Sequence, residues 1–283
     1  MANYHGKFQR KSRSRRFLWV GIGCSVLALV CAGFIVKFLY GAAKAGSARR
    51  QTIQTYVMPP APSTPETAET TAPEEAETTA ETTAETKPPT QPPRFPTIDF
   101  AGLREKNGDV AAWLQLPALE IINYPVVQGT DNAYYVCHSW DGEESENGAI
   151  FLDFRNAGDF SQLHNILYGH CMKDGSMFQS LGKWEGPEYF SKSDKTVLLY
   201  LPNETRVYEI FAVERVNALD SRVYKTDYAA DEVWEAALKE TLHKSQHETD
   251  LELTAQSEVL TLSTCMGDMD RLVIHAVCVE HVP

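Results

Sequence analysis

The sequence predicts a mainly β domain of eight short strands, preceded by one membrane-spanning helix. Three observations predict it. An uncharged apolar run, FLWVGIGCSVLALVCAGFIV, fills residues 17–36. A tract of Pro, Thr, Ala and Glu follows it. The remainder breaks into short runs rich in Val, Ile, Leu and Tyr, bounded by Gly, Pro, Asn and Asp. With 283 residues, 43% apolar and 23% charged, the chain can bury a core and is not disordered throughout. Charge divides along the same line. Residues 1–50 hold ten Lys/Arg and no acid, so residues 51–283 carry 16 basic against 38 acidic side chains, a net of −22. A basic end held at a membrane and an acidic folded part fit that asymmetry. The acidic part speaks against a nucleic-acid partner, because phosphate binding needs a basic surface. Six cysteines are too few for a disulfide scaffold.

The elements follow in order. Residues 1–16 form a basic segment and 17–40 the transmembrane anchor. Twenty helical residues at about 1.5 Å each span ~30 Å, the thickness of a hydrocarbon core. A cleaved signal peptide has a shorter apolar region of ~7–15 residues. AAKAGSA at 42–48 has the small residues of a cleavage site, but the length of the run favours an uncleaved anchor. Lys7, Arg10, Lys11, Arg13, Arg15 and Arg16 cluster before the run, against Lys37, Lys44, Arg49 and Arg50 after it. The positive-inside rule then puts the N-terminus in the cytoplasm and the rest outside, a single-pass protein of the cell membrane. Cys24 and Cys31 read as apolar packing within the span. Residues 41–96 read as a disordered Pro/Thr/Glu-rich stalk, since large apolar residues are nearly absent and nothing offsets the entropy of ordering.

The domain runs over 97–283. TIDFAGLREKN, 97–107, predicts a short helix stopped by Asn107-Gly108. Strands are predicted at 112–116, 121–127, 148–153, 165–170, 196–201, 205–216, 258–264 and 271–280, with a hairpin turn at Asn203-Glu204. One helix interrupts them at about 231–245. Trp234, Leu238 and Leu242 recur on one face, and Asp231 stands at its start. Eight short strands in under 190 residues make a closed barrel or a sandwich, and periodicity alone does not choose between them.

Two stretches carry chemistry. Tyr168-Gly169-His170 ends one strand, and Thr261-Leu262-Ser263-Thr264-Cys265 ends another. Arg271 opens the next strand six residues later. A free thiol is only a few per cent thiolate at neutral pH, and a nearby His or Arg raises that fraction. An Arg beside the thiol also donates to the oxyanion formed when the thiolate attacks a carbonyl. Cys, His and Arg make a kit for acyl transfer through a thioester. Alone this is weak, since a cysteine at a strand end is more often a small core residue.

TLSTC at 261–265 followed by Arg271 resembles the signature of sortases, the membrane-anchored cysteine transpeptidases of Gram-positive cell walls. YGHCMKDGSMFQSL at 168–181, INYPVVQGTDNAYY at 122–135 and NGAIFLD at 147–153 resemble the class B pattern, and the order of motifs matches over nearly all of 97–283. The resemblance implies an eight-stranded β-barrel with an N-terminal helix and a helix inserted between strands six and seven. It implies Cys265 as nucleophile, His170 as acid/base and Arg271 as stabiliser of the oxyanion. It also implies substrate contacts from Asn132, Val136 and Ser263. Such enzymes cleave an LPxTG-like or NPxTN-like sorting motif after its Thr and pass the protein to an amine of peptidoglycan or a pilin. The implied partners are therefore sorting-signal-bearing surface proteins or pilins, a peptidoglycan precursor amine, and the membrane. No metal or organic cofactor is implied.

Position 171 departs from the pattern, with Cys in place of Asn, and oxidation could link Cys171 to Cys265. Met-Gly-Asp-Met-Asp makes a short connection to Arg271, and Asp268 and Asp270 should face solvent or pair with Arg271, because like charge disfavours a thiolate. His243 and His247 stand four apart on a helix, a metal-ligand spacing that lacks the glutamate of a protease motif and reads as a solvated face. Cys137 and Cys278 read as buried thiols, with a disulfide as the alternative. Two other functions fit the residues. One is a secreted cysteine peptidase hydrolysing wall peptides, although in common wall hydrolases the Cys precedes the His. The other is an inactive, stalked surface-binding module.

Overall fold

The computed structural model describes residues 13–60, 94–265 and 269–283. The basic segment before Arg13, the tract at 61–93 and the Met266–Asp268 connection lie outside the described residues. By internal packing the chain divides between Arg49 and Arg50. Helix α1, Arg13–Tyr56, runs through that point. Its apolar part is long enough to cross a membrane. The helix is longer than the anchor read at 17–40. Residues 41–56 continue it, so they are not part of a disordered stalk.

The C-terminal unit begins with the last turns of α1. Strand β1, Val57–Met58, pairs with β2, Thr97–Ile98. Thr97 and Ile98 are therefore strand, and the helix expected over 97–107 starts later, as α2, Phe100–Lys106. Asp99 sets its start. Its carboxylate accepts from the Gly102 N–H, which satisfies one of the helix's orphan donors. Phe100 and Leu103 are buried beneath it.

Eight further strands close a barrel: β3 Val110–Gln115, β4 Asn123–Val127, β5 Ile150–Leu152, β6 His164–Gly169, β7 Thr196–Tyr200, β8 Thr205–Asn217, β9 Val259–Cys265 and β10 Asp270–Val282. Around the barrel the order is β10-β8-β7-β3-β4-β5-β6-β9. Two pairs, β4/β5 and β6/β9, are parallel and the others antiparallel. All eight strands match those expected, with ends shifted by one or two residues. Alternation divides the sheet's two faces. Ala112, Leu114, Leu199, Leu260, Leu262 and Ile274 join the central apolar cluster. Trp113, Phe151 and Tyr200 join a second cluster, covered by α2 and by Ile53, Tyr56 and Val57. Both faces are buried there, so β3 reads as an almost continuous apolar run.

Helix α3, Pro187–Lys192, follows β6, and α4, Glu232–Lys244, lies between β8 and β9, the sixth and seventh barrel strands. Asp231 caps α4 by accepting from the N–H groups of Val233 and Trp234. Trp234 and Leu238 pack on Phe211, Ala212 and Val259. Helix α4 ends at Lys244, so His247 is not on it. Its Nε2 contacts the Trp184 carbonyl at 2.7 Å and its ring stacks on Phe190. The pair His243 and His247 therefore does not share a helix face. Cys137 and Cys278 are free thiols, and Cys137 is exposed where burial was expected, because it follows a surface turn.

Candidate active site

Register brings the chemistry-bearing residues to one end of the barrel. Strands β6 and β9 run parallel, with Gly169 opposite Thr264. Parallel neighbours end together, so His170 leaves β6 beside the last residue of β9, Cys265. Strand β10 returns antiparallel, and its Arg271 stands opposite Cys265 in the ladder. The three positions, far apart in sequence, converge through backbone pairing alone. His170, Arg271, Asn132, Val136 and Ser263 all line one cavity of about 560 Å³.

Each side chain is held by its surroundings. Val136 ends a 3-10 turn, Tyr134–Val136. Asp131 caps that turn by accepting from the N–H groups of Tyr134 and Ala133, which hold its carboxyl below the usual range. Tyr135, buried in the same turn, donates to Asp109 at 2.7 Å and accepts from Asn107 at 2.8 Å. Burial is the main reason its phenol is pushed up to about 12. The anchored turn presents the Val136 carbonyl to His170 Nε2 at 2.7 Å. Gly148, at φ +58°, makes this fit possible, because a Cβ there would lie 2.6 Å from the carbonyl oxygens of Tyr135 and Val136.

Asn132 is engaged within the protein. Its amide donates to Asp153 Oδ2 at 3.1 Å, and its Oδ1 accepts from the Phe154 N–H at 3.0 Å. Asp153 is completely buried. It also accepts two side-chain hydrogen bonds from Arg155, at 2.8 and 2.7 Å, and one from the Tyr168 hydroxyl at 2.9 Å. Burial would raise its pKa, but the donors from Arg155 and Tyr168 outweigh it and keep the carboxylate charged. Tyr168 in turn is pushed upward by burial and by Asp153, so it stays a donor. The Tyr168 ring stacks on Tyr224 and packs at a tilt against Phe151, forming an aromatic wall of the groove. Ser263 Oγ lies 3.0 Å from the Tyr224 hydroxyl. The neighbouring Thr264 hydroxyl is buried and has no hydrogen-bond partner among the described residues. Arg271 Nη1 donates to the Asp270 carbonyl, while Asp270 itself is exposed as expected. The link between Cys171 and Cys265, and the placement of Asp268, concern side chains outside the described residues.

Sequence reasoning missed Tyr168 and Tyr224 as parts of this wall, and Asp153 as the buried carboxylate that accepts from Tyr168. One signal was available: Asp153 ends the apolar run GAIFLD, where a carboxylate must have partners to be buried. Chemically, an imidazole and a guanidinium in one partly apolar groove, at a strand end that carries a cysteine, suit attack of sulfur on a peptide carbonyl.

Known proteins share this architecture. The Sortase domain family model matches residues 114–279. A sortase B of Listeria monocytogenes is 32% identical over 168 residues, 59% of this chain and 67% of the relative. One from Staphylococcus aureus is 30% identical over 168 residues, with the same coverage. Among solved structures, the sortase B of Bacillus anthracis in complex with AAEK1 is 34% identical and superposes with a TM-score of 0.60, covering 65% of this chain and 85% of that one. The Staphylococcus aureus sortase B–substrate complex is 29% identical, with a TM-score of 0.60 over 64% of this chain and 84% of that one.

Proposed function

Because the chain belongs to the sortase family, in its class B branch, and is a cysteine transpeptidase, we propose that Cys265 is its nucleophile, His170 its acid/base and Arg271 its oxyanion donor. The supporting observation is that His170 and Arg271 face one groove at the strand end where Cys265 stands opposite Arg271. The Cys265 thiolate adds to the carbonyl carbon of the Thr in a sorting motif, LPxTG-like or NPxTN-like. Arg271 donates to the oxygen as charge gathers on it. The C–N bond to the next residue breaks, and that amine leaves with a proton from His170. The resulting thioester is attacked by an amine of a peptidoglycan precursor or a pilin. That amine gives its proton to His170, the thiolate is expelled, and an amide forms.

Val136 and Ser263 border the bound motif. Asn132 shapes the groove through its bonds to Asp153 and the Phe154 N–H. Residues 17–40 anchor the chain in the cell membrane with the basic segment 1–16 in the cytoplasm. The tract at 61–93 acts as a spacer, and the domain works outside the cell on sorting-signal-bearing proteins. A Staphylococcus aureus sortase B has been solved with a substrate, and a similar peptide is the natural ligand to try here.

The test uses the full chain in detergent and its Cys265→Ala variant. Each is incubated with LPxTG-like and NPxTN-like peptides and an amine acceptor, and products are read by mass spectrometry. A Cys265-dependent amide product is expected. Cleavage that persists in Cys265→Ala would overturn the assignment of the nucleophile, and hydrolysis without any amide would overturn transfer to the supplied amine.

A further inference from the structure

The far end of the barrel holds a second cluster of reactive side chains. Cys278 and His281 lie on β10, three residues apart. In a regular strand they would point to opposite faces. Here the register slips between Cys278 and Glu280: Cys278 pairs with Tyr208, Glu280 with Val207 and His281 with Arg206. Val279 is the extra residue of a β-bulge. Tyr208 and Arg206 are two apart on β8 and share a face, so the bulge turns Cys278 and His281 onto that face together. It is the inner face, since Tyr208 belongs to the central cluster and Cys278 packs against it. Glu258, just before β9, joins them, and its carbonyl accepts from the Cys278 N–H at 2.8 Å.

The donor atoms of Glu258, Cys278 and His281 all lie within 4.8 Å of one another. His281 is already oriented. Its Nδ1 meets Glu204 Oε2 at 3.0 Å, which leaves Nε2 turned towards Glu258 Oε2, 3.5 Å away. A carboxylate behind a histidine is the arrangement that fixes an imidazole for a metal. Charge agrees. Glu204 and Glu258 share a single guanidinium, Arg206, at 2.7 and 3.1 Å. With a neutral His281 the cluster carries −1, and −2 once the thiol loses its proton, which a divalent cation cancels. The Tyr208 hydroxyl is buried in the same place, with Cys278, Arg206 and Glu258 as its neighbours.

We propose that Glu258, Cys278 and His281 form a binding site for a divalent cation of the zinc class, with Glu204 orienting His281. Sulfur, imidazole and carboxylate together suit Zn²⁺ or Co²⁺ and do not suit Ca²⁺ or Mg²⁺. On binding, the Cys278 thiol proton passes to solvent and the sulfur ligates as thiolate. Cys278 lies seven positions along β10 from Arg271, about 20 Å at the strand rise. The ion is therefore structural: it ties the end of β10 to the start of β9 and the β7–β8 turn.

The test is a Co²⁺ titration of the full chain in detergent, followed in the ultraviolet for a thiolate-to-metal charge-transfer band and then challenged with Zn²⁺. The expected result is a band that saturates at one equivalent, disappears when Zn²⁺ displaces the probe, and survives Cys265→Ala. Cys278→Ser and His281→Gln should each abolish it. His281 is partly exposed, so that variant keeps its fold, as circular dichroism can check. Zn²⁺ should raise Tm by about 5 °C in the parent chain and leave both variants unmoved. Transpeptidation per folded molecule should be unchanged by Cys278→Ser. No equimolar Co²⁺ site, or a band that persists in both variants, overturns the proposal.

Discussion

The Val136 carbonyl can only accept a hydrogen bond, so its 2.7 Å contact places a proton on His170 Nε2. While that bond holds, Nδ1 is the nitrogen that takes or gives the proton in the proposed reaction. In the same proposal Arg271 has a different task, to meet a developing oxyanion with fixed donors. Arg271→Ala should therefore lower kcat/KM by about 10²–10³. Arg271→Lys should recover little of it, since an ammonium restores the charge without the planar fork. Steady-state transfer to a fixed amine measures both, and an Ala variant within about tenfold of the parent would remove Arg271 from the mechanism. His164 makes a separate prediction. It is fully buried between the Lys225 carbonyl and Thr261 Oγ1, at 2.6 and 2.7 Å. Burial, aided by His275, lowers its pKa from 6.5 to about 3. The unfolded chain thus binds this proton more readily than the native one. Stability is fully present above pH 6.5 and is lost as pH falls from there towards 3, at up to about 1.4 kcal/mol per unit. Urea unfolding between pH 7 and 5 should show that slope, and His164→Gln should flatten it. An unchanged slope would mean that another group carries the effect. The roles proposed for Cys265, His170 and Arg271 come from the sequence, where a short motif carries each of them. Asp153 was not legible there, because two of the three side chains that make its burial tolerable, Asn132 and Tyr168, are brought to it only by the fold.

Elements transmit these demands through backbone fit. The Tyr134–Val136 turn and the Gly148 backbone pack so closely that a single methyl group at 148 must move one of them. Gly148→Ala should destabilise by about 1–3 kcal/mol, from its positive φ and the clash together. It should also lower kcat more than Pro or Gly changes in distant loops do, because the displaced carbonyl is the one that holds His170. Thermal unfolding and single-turnover acylation separate the two effects; a loss of stability with unchanged acylation would show that the turn relaxes without moving His170. The strands themselves were readable, since each is a short apolar run with breakers at its ends. Their arrangement was not. The parallel pairings β4/β5 and β6/β9 join segments separated by long stretches of chain, and nothing local in either partner specifies the other. The same limit left barrel and sandwich undecided until family resemblance chose. Helix α4 was legible in full because Trp234, Leu238 and the Asp231 cap are all local signals. Thr97 and Ile98 misled for the opposite reason: they become strand only because Val57 and Met58 pair with them.

At the scale of the molecule the sequence placed the domain's beginning too late. Composition changes sharply near residue 97, but packing does not respect composition. The last turns of α1 and the short strand β1 belong to the C-terminal unit, which starts at Arg50. Ile53, Tyr56 and Val57 pack on the cluster that contains Trp113 and Phe151. Tyr56 meets Trp140 edge to face, with ring centres 5.7 Å apart, and its carbonyl accepts from the Asp99 N–H at 2.9 Å. That N–H belongs to the residue that caps α2, so the segment before the spacer helps to set the first helix after it. A fragment of residues 94–283 loses all of these contacts, while one of 50–283 keeps them. Removing three partly buried apolar side chains and a two-residue β-ladder should cost about 2 kcal/mol, which lowers Tm by about 4–8 °C in a domain of this size. The barrel end that carries Cys265 and Arg271 lies on strands that β1 does not pair with, so acylation by the two fragments should be equal at temperatures where both are folded. Differential scanning calorimetry on the two fragments decides it. Equal Tm values would mean that β1 and the end of α1 rest on the barrel without stabilising it, and the domain would then begin where the composition changes.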